Sequence, residues 1–336
     1  MTVELYHGDC LDIMPTIEPD TFDLILTDPP YYKVKGEAWD RQWNTPAGFL
    51  AWLDQVFAEF YRVLKPNGSL YVFASPQMAA RVEVLASERF NVLNRIRWVK
   101  DAGWHKKAEK EALRSYLSPW EEIIFAEHHG ADGYAKGEAG YAAKCDKARG
   151  FVFEPLRAYL DGERQRAGVT PQQVNEATGT QMAGHWFSSV QWALPTAKHY
   201  ATMRALFNGT SPGEYLRREY EDLRREYEDL RREYEDLRRP FNVTADVPYT
   251  DVWTFSPVSP YPGKHPCEKP QDLLRHIIEA STRPGALVLD AFMGTGSTAL
   301  ACKDTGRKFV GIEKDSGYLA KARQRIAEPK QAELAL

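Results

Sequence analysis

Residues 1–127 alternate between two hydrophobic patterns. Short apolar runs, rich in β-branched and aromatic residues, predict strands at residues 3–6, 22–27, 69–73, 92–98 and 123–126. Between them, apolar positions three and four apart predict helices at about residues 47–64 and 76–88. Lys65-Pro66-Asn67-Gly68 falls between helix and strand and reads as a turn. A second stretch of the same kind runs from about residue 268 to 326. It predicts a helix at 270–281, a strand at 286–290, the turn Gly294-Thr295-Gly296, a helix at 297–304, a strand at 308–313 and a helix at 317–326. Neither stretch holds enough strands for a complete doubly wound sheet, but together they do. The pattern therefore predicts one α/β domain, with a parallel-dominated sheet covered on both faces, split by an insertion. The expected boundaries are 1–127, 128–261 and 262–336.

The insertion has a different texture. Residues 155–168 read as a helix. Thr170 is then placed to cap a second that starts at Pro171, Gly179 ends it, and Thr180 can cap a third through Gln181, His185 and Trp186. A further helix follows Leu194-Pro195 and carries Tyr200, Met203 and Leu206. Over about residues 153–210 this suggests either a helix-turn-helix or a generic helical hairpin. From Leu216 to Arg239 the heptad Leu-Arg-Arg-Glu-Tyr-Glu-Asp recurs, placing Leu216, Leu223, Leu230 and Leu237 with Tyr220, Tyr227 and Tyr234 on one seam. Arg217 with Glu221, Arg218 with Asp222, and Glu221 with Arg225 are spaced to pair across one turn, and Pro240 stops the helix. This heptad helix, at about 214–239, suits a solvated spacer or an arm for a homodimer or flanking DNA.

Composition narrows the classes. The 336 residues are 43% hydrophobic, which is ample for a globular core, and no long apolar segment suggests a membrane span. No secretory segment is evident, so a cytoplasmic protein is expected. Cys10, Cys145, Cys267 and Cys302 lack metal-ligand spacing, which argues for reduced thiols and against a metal site. The net charge of −4 carries no global signature of nucleic-acid binding. Locally, however, seven Lys/Arg against three acids lie between Asn94 and Arg114, with Trp98 and Trp104 among them. Such a mixture suits a backbone- and base-contacting surface that includes Lys106 and Lys107; a solvated loop with anchoring tryptophans is the plainer alternative.

Two segments carry candidate chemistry. Asp28-Pro29-Pro30-Tyr31 follows a predicted strand, and its prolines force the chain out of the ladder at the carboxyl edge where open α/β sheets bind ligands. The Asp28 carboxylate and the Pro29 carbonyl can accept both protons of one planar amino group, with Tyr31 stacked on its ring. A strand followed by a proline turn is the alternative. The second segment runs from Asp290 through Phe292, Gly294, Thr295, Gly296, Ser297 and Thr298, a glycine-rich strand-to-helix turn. It lacks the Gly-Lys-Ser/Thr of a phosphate loop, while Glu313 ends the next strand where a carboxylate meets ribose hydroxyls. An adenosine derivative without a phosphate chain is implied, and S-adenosyl-L-methionine fits.

In combination these segments resemble the amino-group DNA methyltransferases of the β arrangement, in which the catalytic motif precedes the cofactor motif. The resemblance spans about residues 1–127 and 262–327. It implies a Rossmann-like, S-adenosylmethionine-dependent methyltransferase sheet with permuted motif order and a helical insertion domain. His7-Gly8-Asp9-Cys10 resembles the family's N-terminal cofactor segment, implying contacts from Asp9 and Cys10. His265-Pro266-Cys267-Glu268-Lys269-Pro270 resembles the motif before the glycine turn, implying cofactor contacts from His265 and Lys269. Ala291 departs from the usual proline. The insertion is similar to one in phage and prophage members, implying that Gln181 and His185 read DNA. Lys33, Lys35 and Arg41, on the loop from Tyr32 to Thr45 with Trp39 and Trp43, are expected to contact DNA, and the loop to close over a flipped base or fill the vacated stack; a plain surface flap is the alternative. Asp at the head of the tetrapeptide favours adenine N6 over cytosine N4 in this family. The expectation is a site-specific adenine-N6 methyltransferase acting on double-stranded DNA, as in restriction-modification. The rivals are methylation of another amine, or a DNA-binding regulator without catalysis.

Overall fold

The computed structural model describes residues 2–34, 36–100, 111, 113–128, 150–189, 192–242, 249–261, 264 and 266–328. Lys35, Lys106, Lys107, Trp104, Cys145, Gln191 and His265 lie outside them. By chain contacts the protein divides into two units, one of residues 1–140 with 239–336 and one of residues 141–238.

The first unit is built on eight strands: β1 (Val3–His7), β2 (Phe22–Thr27), β3 (Leu64–Ala74), β4 (Asn91–Val99), β5 (Trp120–Glu127), β6 (Val252–Thr254), β7 (Leu287–Asp290) and β8 (Lys308–Glu313). They lie in the order β1-β8-β7-β2-β3-β5-β4-β6. All neighbours are parallel except β5, which runs antiparallel to β3 and β4. Helices are α1 (Cys10–Ile13), α2 (Pro46–Val63), α3 (Ala79–Ser87), then α9 (Gln271–Ser281), α10 (Ser297–Thr305) and α11 (Ser316–Ala327); α4 to α8 belong to the second unit.

Burial on both faces follows from β2, where Leu24, Ile25 and Leu26 are fully buried, Ile25 in one core and its neighbours in the other. Phe49, Leu53, Val56 and Phe60 of α2 cover one face. Leu273, Leu274, Ile277 and Ile278 of α9, with Leu319 and Ala322 of α11, pack in the other core. β2 and β7 are the decisive pair. Leu24 lies beside Val288 and Ile25 beside Leu289, so segments more than 250 positions apart in sequence become neighbours. The chain proceeds from β2 to β3 on one side and from β7 to β8 on the other, which makes their carboxyl ends a topological switch point.

Three expectations about the first unit need correction. The 65–68 segment is not a turn between elements: β3 starts at Leu64, directly after α2. Its Pro-Asn-Gly sequence appears instead as an irregularity, since Phe22 pairs Leu64 but Leu24 pairs Ser69. The helix expected from residue 76 starts at Ala79, after a turn in which Met78 and Ala79 donate to the Ser75 carbonyl. The insertion also ends earlier than residue 261, because β6 pairs with β4 and completes the sheet. β6 and α1 were too short to carry a period.

The second unit holds α4 (Glu154–Arg166), α5 (Pro171–Thr178), α6 (Ala183–Phe187), α7 (Ala197–Thr210) and α8 (Tyr220–Leu237), around Leu156, Leu160, Val174, Trp186, Trp192, Tyr200, Met203 and Phe207. Thr170 and Gln173 form a reciprocal capping box on α5, and Gly179 ends it at φ 69°. Thr180 does not cap α6; Met182 holds that position, and Asn175 Oδ1 accepts from the Ala183 amide at 2.9 Å. The heptad seam is used inside the unit. Leu216 and Leu223 are buried in its core, and Tyr220, Tyr227, Leu230 and Tyr234 pack against it. That leaves little of the seam for a homodimer arm. The three expected ion pairs do not form: α8 starts at Tyr220, which leaves Arg217 and Arg218 outside it, and within it Glu221 meets Arg224 instead of Arg225. Arg217 turns to Glu214, Arg218 to Glu226 and Arg225 to Asp222. Among the described residues no helix is long and apolar enough to cross a membrane.

Candidate active site

The switch point opens into a cavity of about 360 Å³. β2 delivers Asp28, Pro29, Pro30 and Tyr31 to it, and β7 delivers Asp290, Phe292, Gly294, Thr295, Ser297 and Thr298. Asp9 and Cys10 after β1, Glu313 at the end of β8, and Lys269 before α9 help complete the wall. Every described residue expected at the catalytic or cofactor site lines it except Gly296. At φ 81°, Gly296 caps α10 and faces α11, where a Cβ would sit 3.2 Å from that of Ala322. It shapes the turn rather than the cavity.

Asp28 is the most informative side chain. Its Oδ2 pairs with the Lys269 ammonium, while Oδ1 is buried and accepts no hydrogen bond among the described residues. A buried carboxylate oxygen left without a donor is costly, so a ligand N–H is the natural complement. Burial raises the Asp28 carboxyl above its ordinary value, Lys269 pulls it back, and the Glu121 carboxylate raises it again. Glu121, on β5, takes the Tyr31 hydroxyl at 3.0 Å, Lys269 at 3.4 Å and the Lys100 ammonium. Burial resists its ionisation, but Lys269 and Lys100 together lower it to about 2. Tyr31 is fixed at both ends, its amide donating to Asp40 Oδ1 at 2.7 Å and its hydroxyl to Glu121.

The other half of the cavity is a cradle. Asp290 Oδ1 accepts from Thr27 at 2.8 Å and from the Phe292 amide at 3.1 Å, and Oδ2 accepts from Thr298 at 2.6 Å. These bonds join the two motifs directly, though burial still pushes the Asp290 carboxyl up to about 6. Asp290 is therefore a buried brace for the turn. Gly294, at φ 53°, donates its amide to Glu313 Oε2 at 2.8 Å, and Asp315 donates to Oε1 at 2.7 Å. Burial pushes Glu313 up to about 7 despite both donors. Asp9 caps α1 and holds Lys314 at 2.9 Å, so its carboxylate is partly committed already. Cys10 is a buried thiol raised to about 12, first by burial and then by Asp9.

The wall contains seven carboxylates and only two ammonium groups, Lys269 and Lys314, both paired with acids. That balance repels a polyphosphate and suits a ligand carrying positive charge. Trp39, Trp52, Phe292 and Tyr318 add aromatic surface for planar rings. A glycine cradle, free acceptor capacity on Glu313 and an acidic, aromatic cavity together fit an adenosyl sulfonium.

The sequence did not reveal Asp40, Gln42, Trp52, Lys100, Glu121, Lys314 or Tyr318 as parts of this site. No local motif marks them, because they arrive from separate strands and loops. The loop after Tyr31 lines the cavity, with Trp39, Asp40 and Gln42 in the wall, while Trp43 packs at a tilt against Trp52, ring centres 4.5 Å apart. Lys33 donates to the Asn44 carbonyl at 3.0 Å and helps fold that loop; Arg41 is exposed. The basic patch fares worse. Trp98 is a core residue, Arg95 is held by Glu83 and Glu122, and Lys100 by Glu121, because β4 alternates between core and acidic neighbours. Gln181 is exposed and His185 half-buried on the second unit, and neither lines the cavity.

Known proteins with the same arrangement were found. A family model described as DNA methylase (N6_N4_Mtase) matches residues 22–324. The chain is 26% identical over 327 residues to the DNA adenine methyltransferase YhdJ of Escherichia coli (strain K12), covering 96% of this chain and 82% of YhdJ. The solved structure of TTHA0409 from Thermus thermophilus, complexed with S-adenosyl-L-methionine, aligns with TM-score 0.50 and 17% identity, covering 97% of this chain and 93% of that one. PvuII DNA methyltransferase, cytosine-N4-specific, aligns with TM-score 0.54 and 13% identity, covering 99% and 89%. These two structures speak for the fold alone. The family match, in contrast, takes in both halves of the cavity, from β2 to within α11: the chain belongs to the N6_N4_Mtase family of DNA methylases.

Proposed function

We propose that this DNA methylase transfers a methyl group from S-adenosyl-L-methionine to the N6 amino group of an adenine flipped out of duplex DNA. The carrying observation is Asp28 Oδ1, buried and without a donor among the described residues, one strand away from the glycine cradle. An exocyclic amine is a poor nucleophile because its lone pair is delocalised into the ring. Asp28 Oδ1 and the Pro29 carbonyl accept its two protons, drawing the nitrogen toward tetrahedral geometry and exposing the lone pair. Gly294 and Glu313 would hold the adenosyl part, and Trp39 or Tyr318 its flat surface. When bound, the cofactor supplies an electrophilic methyl carbon. Asp28 then stabilises the positive charge that grows on nitrogen, and that nitrogen releases its extra proton to water. Holding both reactants in one cavity supplies the orientation that an in-line attack requires.

A base stacked in a duplex cannot reach Asp28, so flipping is required, with Tyr31 as the stacking surface. Lys33 and Arg41, on the loop that lines the cavity, suit phosphate contact. Gln181 and His185 on the second unit suit target reading, with α5 and α6 as a compact helix-turn-helix. Adenine is favoured over cytosine by the aspartate at the head of the tetrapeptide and by the similarity to YhdJ. The test is incubation with mixed-sequence DNA and labelled S-adenosyl-L-methionine, followed by nucleoside mass spectrometry and modification-sensitive sequencing. N6-methyladenine at a defined site is expected. N4-methylcytosine would reverse the base assignment, and unmodified DNA would overturn the function.

A further inference from the structure

Lys269 is expected from its sequence motif to touch the cofactor, but its ammonium is engaged elsewhere. It is 5% exposed, pairs with Asp28 Oδ2, lies 3.4 Å from Glu121 Oε2 and donates to the Cys267 carbonyl at 3.3 Å. It also sits 5.2 Å from the Tyr31 ring centre and 4.7 Å from that of Phe73. Behind it, Lys100 closes the row on Glu121. Two carboxylates and two ammonium groups thus form one partly buried, charge-balanced line.

We propose that Lys269 is a positioning residue for Asp28: its ammonium, shared with Glu121, keeps the Asp28 carboxylate ionised and turned so that Oδ1 faces the incoming amine. The proposal rests on the reading of Asp28 as the amine acceptor. Isolated in this cavity, Asp28 would take up a proton, and a protonated carboxyl is a weak acceptor for an amine about to become cationic. Lys269 supplies the opposing charge, and by occupying Oδ2 it leaves Oδ1 as the open oxygen. Glu121 acts against ionisation of Asp28, since it is a second carboxylate sharing the same ammonium; Lys100 offsets it. Among the described residues, the other ionisable groups facing Asp28 are the Tyr31 hydroxyl, the Cys267 thiol and the Asp290 carboxyl, none of them cationic.

The two partners of Asp28 must then act in opposite directions, which a merely structural role would not produce. In Lys269→Met the site carries one uncompensated negative charge, so Asp28 ionises at higher pH. The acidic limb of the kcat profile moves up by about one unit or more, and activity lost at neutral pH recovers as pH rises. In Glu121→Gln a negative charge is removed, and the acidic limb moves to lower pH. Lys269→Arg keeps the charge and restores the wild-type limb. The KM for S-adenosyl-L-methionine stays within about twofold in all three. Profiles measured on the full chain, with folding checked by circular dichroism, decide the matter. A Lys269→Met loss that is equal at every pH overturns the inference, as do limbs that move together in Lys269→Met and Glu121→Gln. Failure of the wild-type enzyme to methylate any DNA amine would instead overturn the functional reading beneath it.

Discussion

The two oxygens of Asp28 face different surroundings, Oδ2 a buried ammonium and Oδ1 no donor among the described residues. A change that removes both should therefore strike the chemistry and spare the cradle. Asp28→Ala is expected to lower kcat by about 10²–10³-fold or more while the cofactor binds as in the wild type. Normal turnover in that variant, by labelled-methyl transfer, would sink the mechanism. Glu313 gives a residue-level pH dependence. Its carboxyl is raised to about 7, so the ionised form that accepts ribose hydroxyls is gained as pH rises through that value. Cofactor affinity, measured calorimetrically, should increase between about pH 6 and 8, and Glu313→Gln should flatten the rise. The same shift has the opposite sign for the empty protein. A carboxyl raised on folding binds protons more tightly in the folded state, so its contribution favours stability at low pH and is lost as pH climbs from about 4.3 to 7.

Elements are held by a few local devices that can be removed singly. The capping box of α5 is one: Thr170→Ala leaves the Gln173 amide without its acceptor and should cost about 1 kcal/mol, read as a lower urea midpoint. Gly311 on β8 is another. A Cβ there would meet Met293 Sδ at 2.3 Å and Phe309 at 2.6 Å, inside the turn that shapes the cavity. Gly311→Ala should destabilise by about 1–3 kcal/mol and weaken cofactor binding with it, whereas an unchanged unfolding midpoint would show that Met293 gives way freely. Strands such as Phe22–Thr27 and Lys308–Glu313 were legible because six consecutive residues carry a complete apolar signal. β6, with three residues, is a strand only because β4 offers it an edge. The heptad helix shows the reverse case. Its seam was plain in sequence, but whether it faced a partner, solvent or its own unit depended on Leu156, Trp192 and Tyr200 being there to receive it.

At the scale of the whole molecule, the proposed function puts catalysis and target reading in separate units, and that division can be tested. Gln181→Ala with His185→Ala should weaken specific DNA binding by about tenfold or more while leaving cofactor affinity unchanged. Fluorescence anisotropy with the methylated site, once mapped, measures the first and calorimetry the second. Equal affinity for DNA in the double variant would remove both residues from the reading surface.

By itself the sequence determined the two halves of the site, since proline, glycine and short apolar runs act on the backbone within a few residues of themselves. Asp28-Pro29-Pro30-Tyr31 had to leave a strand, and Gly294-Thr295-Gly296 had to turn into a helix. Only the tertiary structure decided which residues stand opposite them. Asp40 reaches the cavity from the loop after Tyr31, Glu121 and Lys100 stand behind its wall, and the Lys269 ammonium is held by Asp28 and Glu121. Charge interactions in a buried cavity depend on distance in space, and β2 beside β7 sets those distances.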